Sequence, residues 1–199
     1  MDAAWRKEGR VGEVVAASTT AFTVQCYHVH RAPPLGALVG AGTPPVYGVV
    51  ASVTTEPLEP GRVVLARGAH LEDEEALYQE NPHLERLLTT RCRCLVVGYQ
   101  EGEVLRQGLP PLPPRLHSFV ALASPQALRG LLRETAFLRL LLAPGAPEAD
   151  EALVAFLREA GAHAPEGREA FLRRVGYALA IELARDVPRL YAILQRLAP

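Results

Sequence analysis

The pattern of apolar and polar positions changes character near residue 124. Up to there, short β-rich runs of valine, threonine, tyrosine and leucine are broken every few residues by glycine and proline; beyond it leucine and alanine recur at helical spacing among arginines and glutamates. In the first part Val11–Val15 reads as a strand, Ser18-Thr19-Thr20 as a turn and Phe22–Tyr27 as the returning strand of a hairpin. Gly36–Val39 and Val46–Val53 give two more strands, with Thr43-Pro44-Pro45 as the turn between them. Arg91–Tyr99 is the most strongly β segment, and Glu101-Gly102 turns it back into Glu103–Arg106. A last strand, His117–Leu122, follows the connector Pro110-Pro111-Leu112-Pro113-Pro114.

Short strands with single glycines at Gly12, Gly48 and Gly98 suit a small closed barrel, in which glycine relieves crowding at bends and closure removes exposed edges. Residues 73–88 interrupt the strands and predict one or two short helices broken at Asn81-Pro82, since the residue before proline disfavours the helical region. This helical excursion, about residues 70–89, lies outside the barrel. The second part opens on Ser124 as N-cap with Pro125 at the first helical position. A helix with an apolar stripe of Leu128, Leu131, Leu132, Phe137, Leu138, Leu141 and Leu142 is expected to run to about residue 142. After the linker Pro144-Gly145-Ala146-Pro147, a second helix begins in the acidic residues Glu148, Asp150 and Glu151 and stops near Gly161. A third is expected to open at Pro165 and to end by Val187-Pro188, and a fourth to run from Pro188 to Leu197. The expected class is thus α+β: an antiparallel barrel over residues 10–123, then a four-helix-bundle-like domain over 124–199.

Composition narrows the functional classes. The chain has 199 residues, 49% hydrophobic and 22% charged, enough for two small domains. A net charge of −1 argues against a general polyanion binder, because non-specific nucleic-acid affinity comes from Lys and Arg releasing phosphate counterions. No stretch approaches the ~18 apolar residues of a membrane span, and no apolar run follows the N-terminal charges, so a cytoplasmic protein is expected. Cys26, Cys92 and Cys94 are too few for a disulfide framework and read as free thiols. Lys7 is the sole lysine, Asn81 the sole asparagine, and prolines are many, which points toward a thermophile.

The first part resembles the HerA/ATP-synthase barrel, the HAS barrel. The resemblance is carried by Val11-Gly12-Glu13-Val14-Val15 with Ser18-Thr19-Thr20 and Phe22, by Leu35–Val39, by Tyr47-Gly48-Val49-Val50, and by Leu95–Tyr99 with the proline-rich stretch before His117-Ser118-Phe119-Val120. In HerA-type translocases such a barrel sits ahead of an ATPase, helps assemble a ring and contacts a nuclease of the NurA kind. The resemblance therefore implies assembly and protein docking. This chain departs from the family after the barrel: it has no G-x-x-x-x-G-K-[ST] sequence, so it carries no P-loop nucleotide hydrolysis of that class.

Candidate chemistry is sparse. Cys26, His28 and His30 share one parity; if the strand continued through Val29, a thiolate and two imidazoles would project from one face as potential zinc ligands. No fourth ligand accompanies them, and a buried cysteine with two solvated histidines is the plainer arrangement. Cys92 and Cys94 share a face, with Arg91 and Arg93 on the other, and the C-x-C spacing favours core packing over a zinc knuckle or redox pair. The acidic run Glu72–Glu75 sits where it caps a helix, and Glu101 with Glu103 flanks a turn. His117 and Ser118, adjacent in a strand, point to opposite faces and make no nucleophile–base pair. Tyr27, Tyr47, Tyr99, Arg91 and Arg93 are the residues a single-stranded nucleic acid would use. No catalytic, cofactor or metal site is assigned. The leading expectation is a non-enzymatic module that self-associates or docks a protein partner; the alternative is a nucleic-acid-binding accessory protein of repair or recombination.

Overall fold

The computed structural model describes residues 9–59, 61–143 and 148–197; Lys7 and the linker Pro144–Pro147 lie outside the described residues. Strands β1 (Arg10–Ala17) and β2 (Ala21–Cys26) form the expected hairpin, Ser18 Oγ accepting from the Ala21 N–H at 3.1 Å in the turn. They are followed by β3 (Leu38–Ala41), β4 (Val46–Pro57), β5 (Leu88–Glu101), β6 (Val104–Arg106) and β7 (Phe119–Leu122). Around the wall the order is β1, β7, β3, β4, β5, β2, and the β2–β5 pairing returns to the start. The result is a closed six-stranded antiparallel barrel, with β6 hairpinned onto the far end of β5.

Strand composition follows from what lies on each side. Val14, Phe22, Val24, Val50, Cys92 and Cys94 fill the interior. On the outside of β4 and β5, Tyr47, Val49, Ala51, Leu95 and Val97 share a second core with the helices. Both faces of these strands are therefore buried, which is why residues 46–51 and 94–98 read as continuous apolar runs with no alternation. Gly48 is the inward position where the Phe22 ring crosses β4; a Cβ there would stand 2.8 Å from the ring.

Helices α1 (Glu74–Glu80) and α2 (Leu84–Leu87) form the excursion and break at Asn81-Pro82 as the sequence predicts; Asp73 Oδ1 accepts from the Ala76 N–H at 2.7 Å as N-cap. The helical part differs from expectation in two places. The single helix expected over 124–142 is two, α3 (Pro125–Leu131), capped by Ser124, and α4 (Phe137–Leu141). Gln107, from the loop after β6, stabilises the break: its Nε2 donates to the Leu131 carbonyl at 2.6 Å, and its Oε1 accepts from the Phe137 N–H at 2.9 Å. Each such bond contributes about 1 kcal/mol net, and together they satisfy backbone groups that a helix interruption would orphan. Next, α5 (Ala149–Ala160) agrees with expectation, whereas α6 (Arg168–Glu182) starts three residues past Pro165, at the N-cap Gly167 with φ +86°; its end at Glu182 falls within the expected limit. The chain turns over residues 183–186 into α7 (Val187–Leu197), with Asp186 accepting from the Arg189 N–H. Arg189 also donates from Nε and Nη2 to the Asp150 carboxylate, at 2.9 and 2.6 Å, tying α7 to α5.

The helices rest on the barrel through α4 and α5. Gly36 is where this approach is closest: its φ is +81°, and a Cβ would lie 2.5 Å from the Phe156 amide nitrogen in α5. Both the left-handed backbone and the contact demand glycine. Gly36→Ala is expected to destabilise the fold by roughly 1–3 kcal/mol, read as a lower urea midpoint; an unchanged midpoint would show that α5 can retreat from the barrel without loss.

Candidate functional site

β2 ends at Cys26, and the chain then turns, with His30 at φ +61°. The common face that zinc ligation by Cys26, His28 and His30 requires is therefore not formed. Cys26 is buried in the barrel end, and His28 and His30 are not. The His30 N–H donates to Thr90 Oγ1 at 2.8 Å and its Nε2 lies 3.0 Å from the Tyr78 hydroxyl, so this histidine pins the β2–β3 loop against β5 and α1. Cys26 instead meets Cys92, and Cys92 meets Cys94, in a row of thiols inside the barrel. The Cys92 contact and burial push the Cys26 thiol well above its ordinary range. For Cys92 the Cys26 contact acts downward, but the Cys94 contact and burial outweigh it, so it too is raised. Both stay protonated at neutral pH and behave as small core residues.

Arg91 and Arg93 face outward as the spacing predicts. Arg91 donates to Glu56 at 3.2 Å, and Arg93 lies 3.9 Å from Glu148 at the start of α5. Tyr47 is buried under the helices, whereas Tyr27 is exposed near β1. Burial thus withdraws Tyr47 from any surface that the other tyrosines and arginines could share. Glu101 pairs with Arg106 across the β5–β6 hairpin at 2.9 Å.

One cluster was missed. Glu13 on β1 accepts from the Tyr27 hydroxyl at 2.9 Å and lies 3.0 Å from Nδ1 of His117, a residue held at φ +63°. Its neighbour Phe119 lies directly opposite Glu13 in the β1–β7 register, and the Arg10 guanidinium stands 3.6 Å above the Phe119 ring. The hydrogen bonds from His117 and then Tyr27 hold the Glu13 carboxyl below the usual carboxylate range. Burial, followed by the bond to Glu13, raises Tyr27 to about 12. The members are 104 and 14 residues from Glu13, so no local motif announces them; only the β1–β2 and β1–β7 registers bring them together.

Two surfaces stand out by shape and exposure. A groove of about 1240 Å³ lies between the β5–β6 hairpin, β7, α3 and the start of α6. Its floor includes Tyr47, Leu105 and Ala121, and its walls carry Glu103 and Arg129. Arg174, on one wall, is held by Glu166 and by the carbonyls of Leu132 and Arg133 at the end of α3. The other surface is the outer side of α6 and α7, where Tyr177 (71% exposed), Ile181 (76%), Val187, Tyr191 and Leu194 project outward. Leu194 of α7 lies beside Gly176 of α6. The sequence does carry this signal: Phe171, Val175 and Leu179 make the buried row of α6, and Tyr177 and Ile181 fall on the opposite side of the helical wheel.

No family model and no curated protein matches this chain. Among the described residues, no helix is long and apolar enough to cross a membrane.

The Glu13 cluster makes a definite pH prediction. A carboxyl whose folded-state pKa is depressed adds stability above its unfolded pKa and loses it as pH falls through the folded value. His117→Ala should move the Glu13 titration, followed by NMR of the side-chain carboxyl, upward toward the ordinary range and shrink the stability lost on acidification; Tyr27→Phe should do the same by less. An unmoved titration in both variants would show that neither bond persists in solution.

Proposed function

We propose that the chain is a non-catalytic assembly and protein-interaction module, built on a barrel related to the HAS barrels and acting without a motor of its own. The observation that carries this reading is the apolar face of α6 and α7. Five large apolar side chains stand out from helices whose opposite sides are already buried, a pattern that marks association surfaces. The kinship to HAS barrels rests on the order and spacing of the sequence segments quoted above, and a closed six-stranded barrel is compatible with it. A second copy of the chain is the first partner to test. Ile181→Glu combined with Tyr191→Glu alters only exposed positions and should at least halve the mass of the largest species seen by sedimentation velocity, with helix content unchanged. A wild type that stays at 21.6 kDa at every concentration overturns self-association.

One observation favours a second reading, nucleic-acid binding. The β1–β2–β7 side of the barrel exposes Phe119, with Arg10 over its ring, and Tyr27, the kind of aromatic platform on which bases stack. Titration of labelled single-stranded DNA at two salt concentrations tests it. Binding that weakens steeply with salt and is lost in Phe119→Ala supports this reading, and no binding at low salt removes it.

A further inference from the structure

Between β4 and α1 the chain carries an extended arm whose apolar side chains are exposed. Val63, Val64 and Leu65 are 77%, 66% and 69% exposed, three consecutive apolar residues bracketed by Arg62 and Arg67. Such a run is costly to leave in water and has high strand propensity. At the opposite end of the molecule, β6 pairs with β5 on one side only, and its open edge, with the exposed Val104, borders the groove beside α3. We infer that residues 62–67 of one copy dock as an extended strand along β6, in the groove of a second copy.

Charge and geometry favour this occupant. Of the groove's charged side chains, Glu103, Glu134, Arg129 and Arg133 have no ion pair among the described residues. Arg62 is already paired with Glu59 at 3.6 Å, and Arg67, at the other end of the docked segment, offers a cation to Glu103 or Glu134 of the groove. The groove lining includes Tyr47, Leu105 and Leu122, apolar side chains for Val63–Leu65 to meet, and main-chain bonding to an open edge is the usual way an extended segment is held. The arm cannot reach its own groove. It leaves the barrel at Pro57 and Leu88, whereas the groove begins at Gln100, so nearly the whole of β5, roughly 40 Å of strand, separates them. Leu58 is bonded to the Leu87 carbonyl, and Val64 lies six residues on, a reach of roughly 20 Å. The contact is therefore head to tail, arm to groove, and repeats into a ring or a filament.

This inference deepens the assembly reading and shares with it the premise of self-association, but it uses a different surface, so the two are separated in one experiment. In the full-length Ile181→Glu/Tyr191→Glu background, Val64→Glu removes the arm and Leu122→Arg blocks the groove; both positions are exposed. Sedimentation velocity should show residual assembly in the background and monomers when either substitution is added. An equimolar mixture of the two variants should form a one-to-one pair and nothing longer, because one intact arm and one intact groove remain. A background already monomeric while the wild type assembles overturns the arm contact and leaves the α6–α7 reading standing. Loss of assembly on Val64→Glu with no effect of the α6–α7 pair does the reverse. Variants that assemble as the background does, or a mixture that fails to pair, overturn the arm contact.

Discussion

The antiparallel seam between β2 and β5 is the constraint on which the rest of the molecule depends. Phe22 lies opposite Cys94 and Val24 opposite Cys92 across it, so closing the sheet and filling its interior are one event. Closure leaves β2 and β5 without a free edge along their paired residues and directs alternate side chains inward. It also fixes which exterior remains to be covered. On β4 and β5 that exterior is apolar, and burying each leucine or phenylalanine of the covering helices contributes about 1.5–3 kcal/mol. The helices are held to the barrel by this second core, with Gly36 setting how closely α5 can approach.

The same division organises the surfaces. The side of the barrel under α4 and α5 is structural, and its outward arginine, Arg93, is drawn toward Glu148 at the start of α5. The β1–β2–β7 side carries the Glu13 cluster and the Phe119–Arg10 stack. The long β4–β5 ribbon projects beyond the closed part of the barrel and carries the exposed arm at one end, and the β5–β6 hairpin forms a wall of the groove at the other. A single pair of strands thus sets the separation between the arm and the groove.

Much of the fold was legible because local rules and tertiary demands agreed. The Ser18-Thr19-Thr20 turn, the break at Asn81-Pro82, the Ser124-Pro125 helix start and the Glu101-Gly102 hairpin each rest on chemistry within a few residues. The two failures among the helices have one cause. Nothing local to residues 132–136 forbids a continuous helix; the interruption is stabilised by Gln107, more than twenty residues upstream, and the start of α6 is set by a glycine conformation with no counterpart in an apolar pattern.

The candidate sites divide the same way. Sequence parity placed Cys92 and Cys94 inward and Arg91 and Arg93 outward, because alternation along a strand holds wherever the strand continues. For Cys26, His28 and His30 the strand stops at the first of the three, and the common face goes with it. What the sequence determined by itself was element type, the β-to-α division and the lack of a P-loop, since all three depend on neighbours a few residues apart. Strand register, barrel closure and packing decided the rest: the thiol row, the meeting of Glu13 with Tyr27 and His117, the groove, and the stranding of the arm far from it. Each of these joins residues whose contact is fixed by hydrogen-bond pairing across the sheet, which no local pattern encodes.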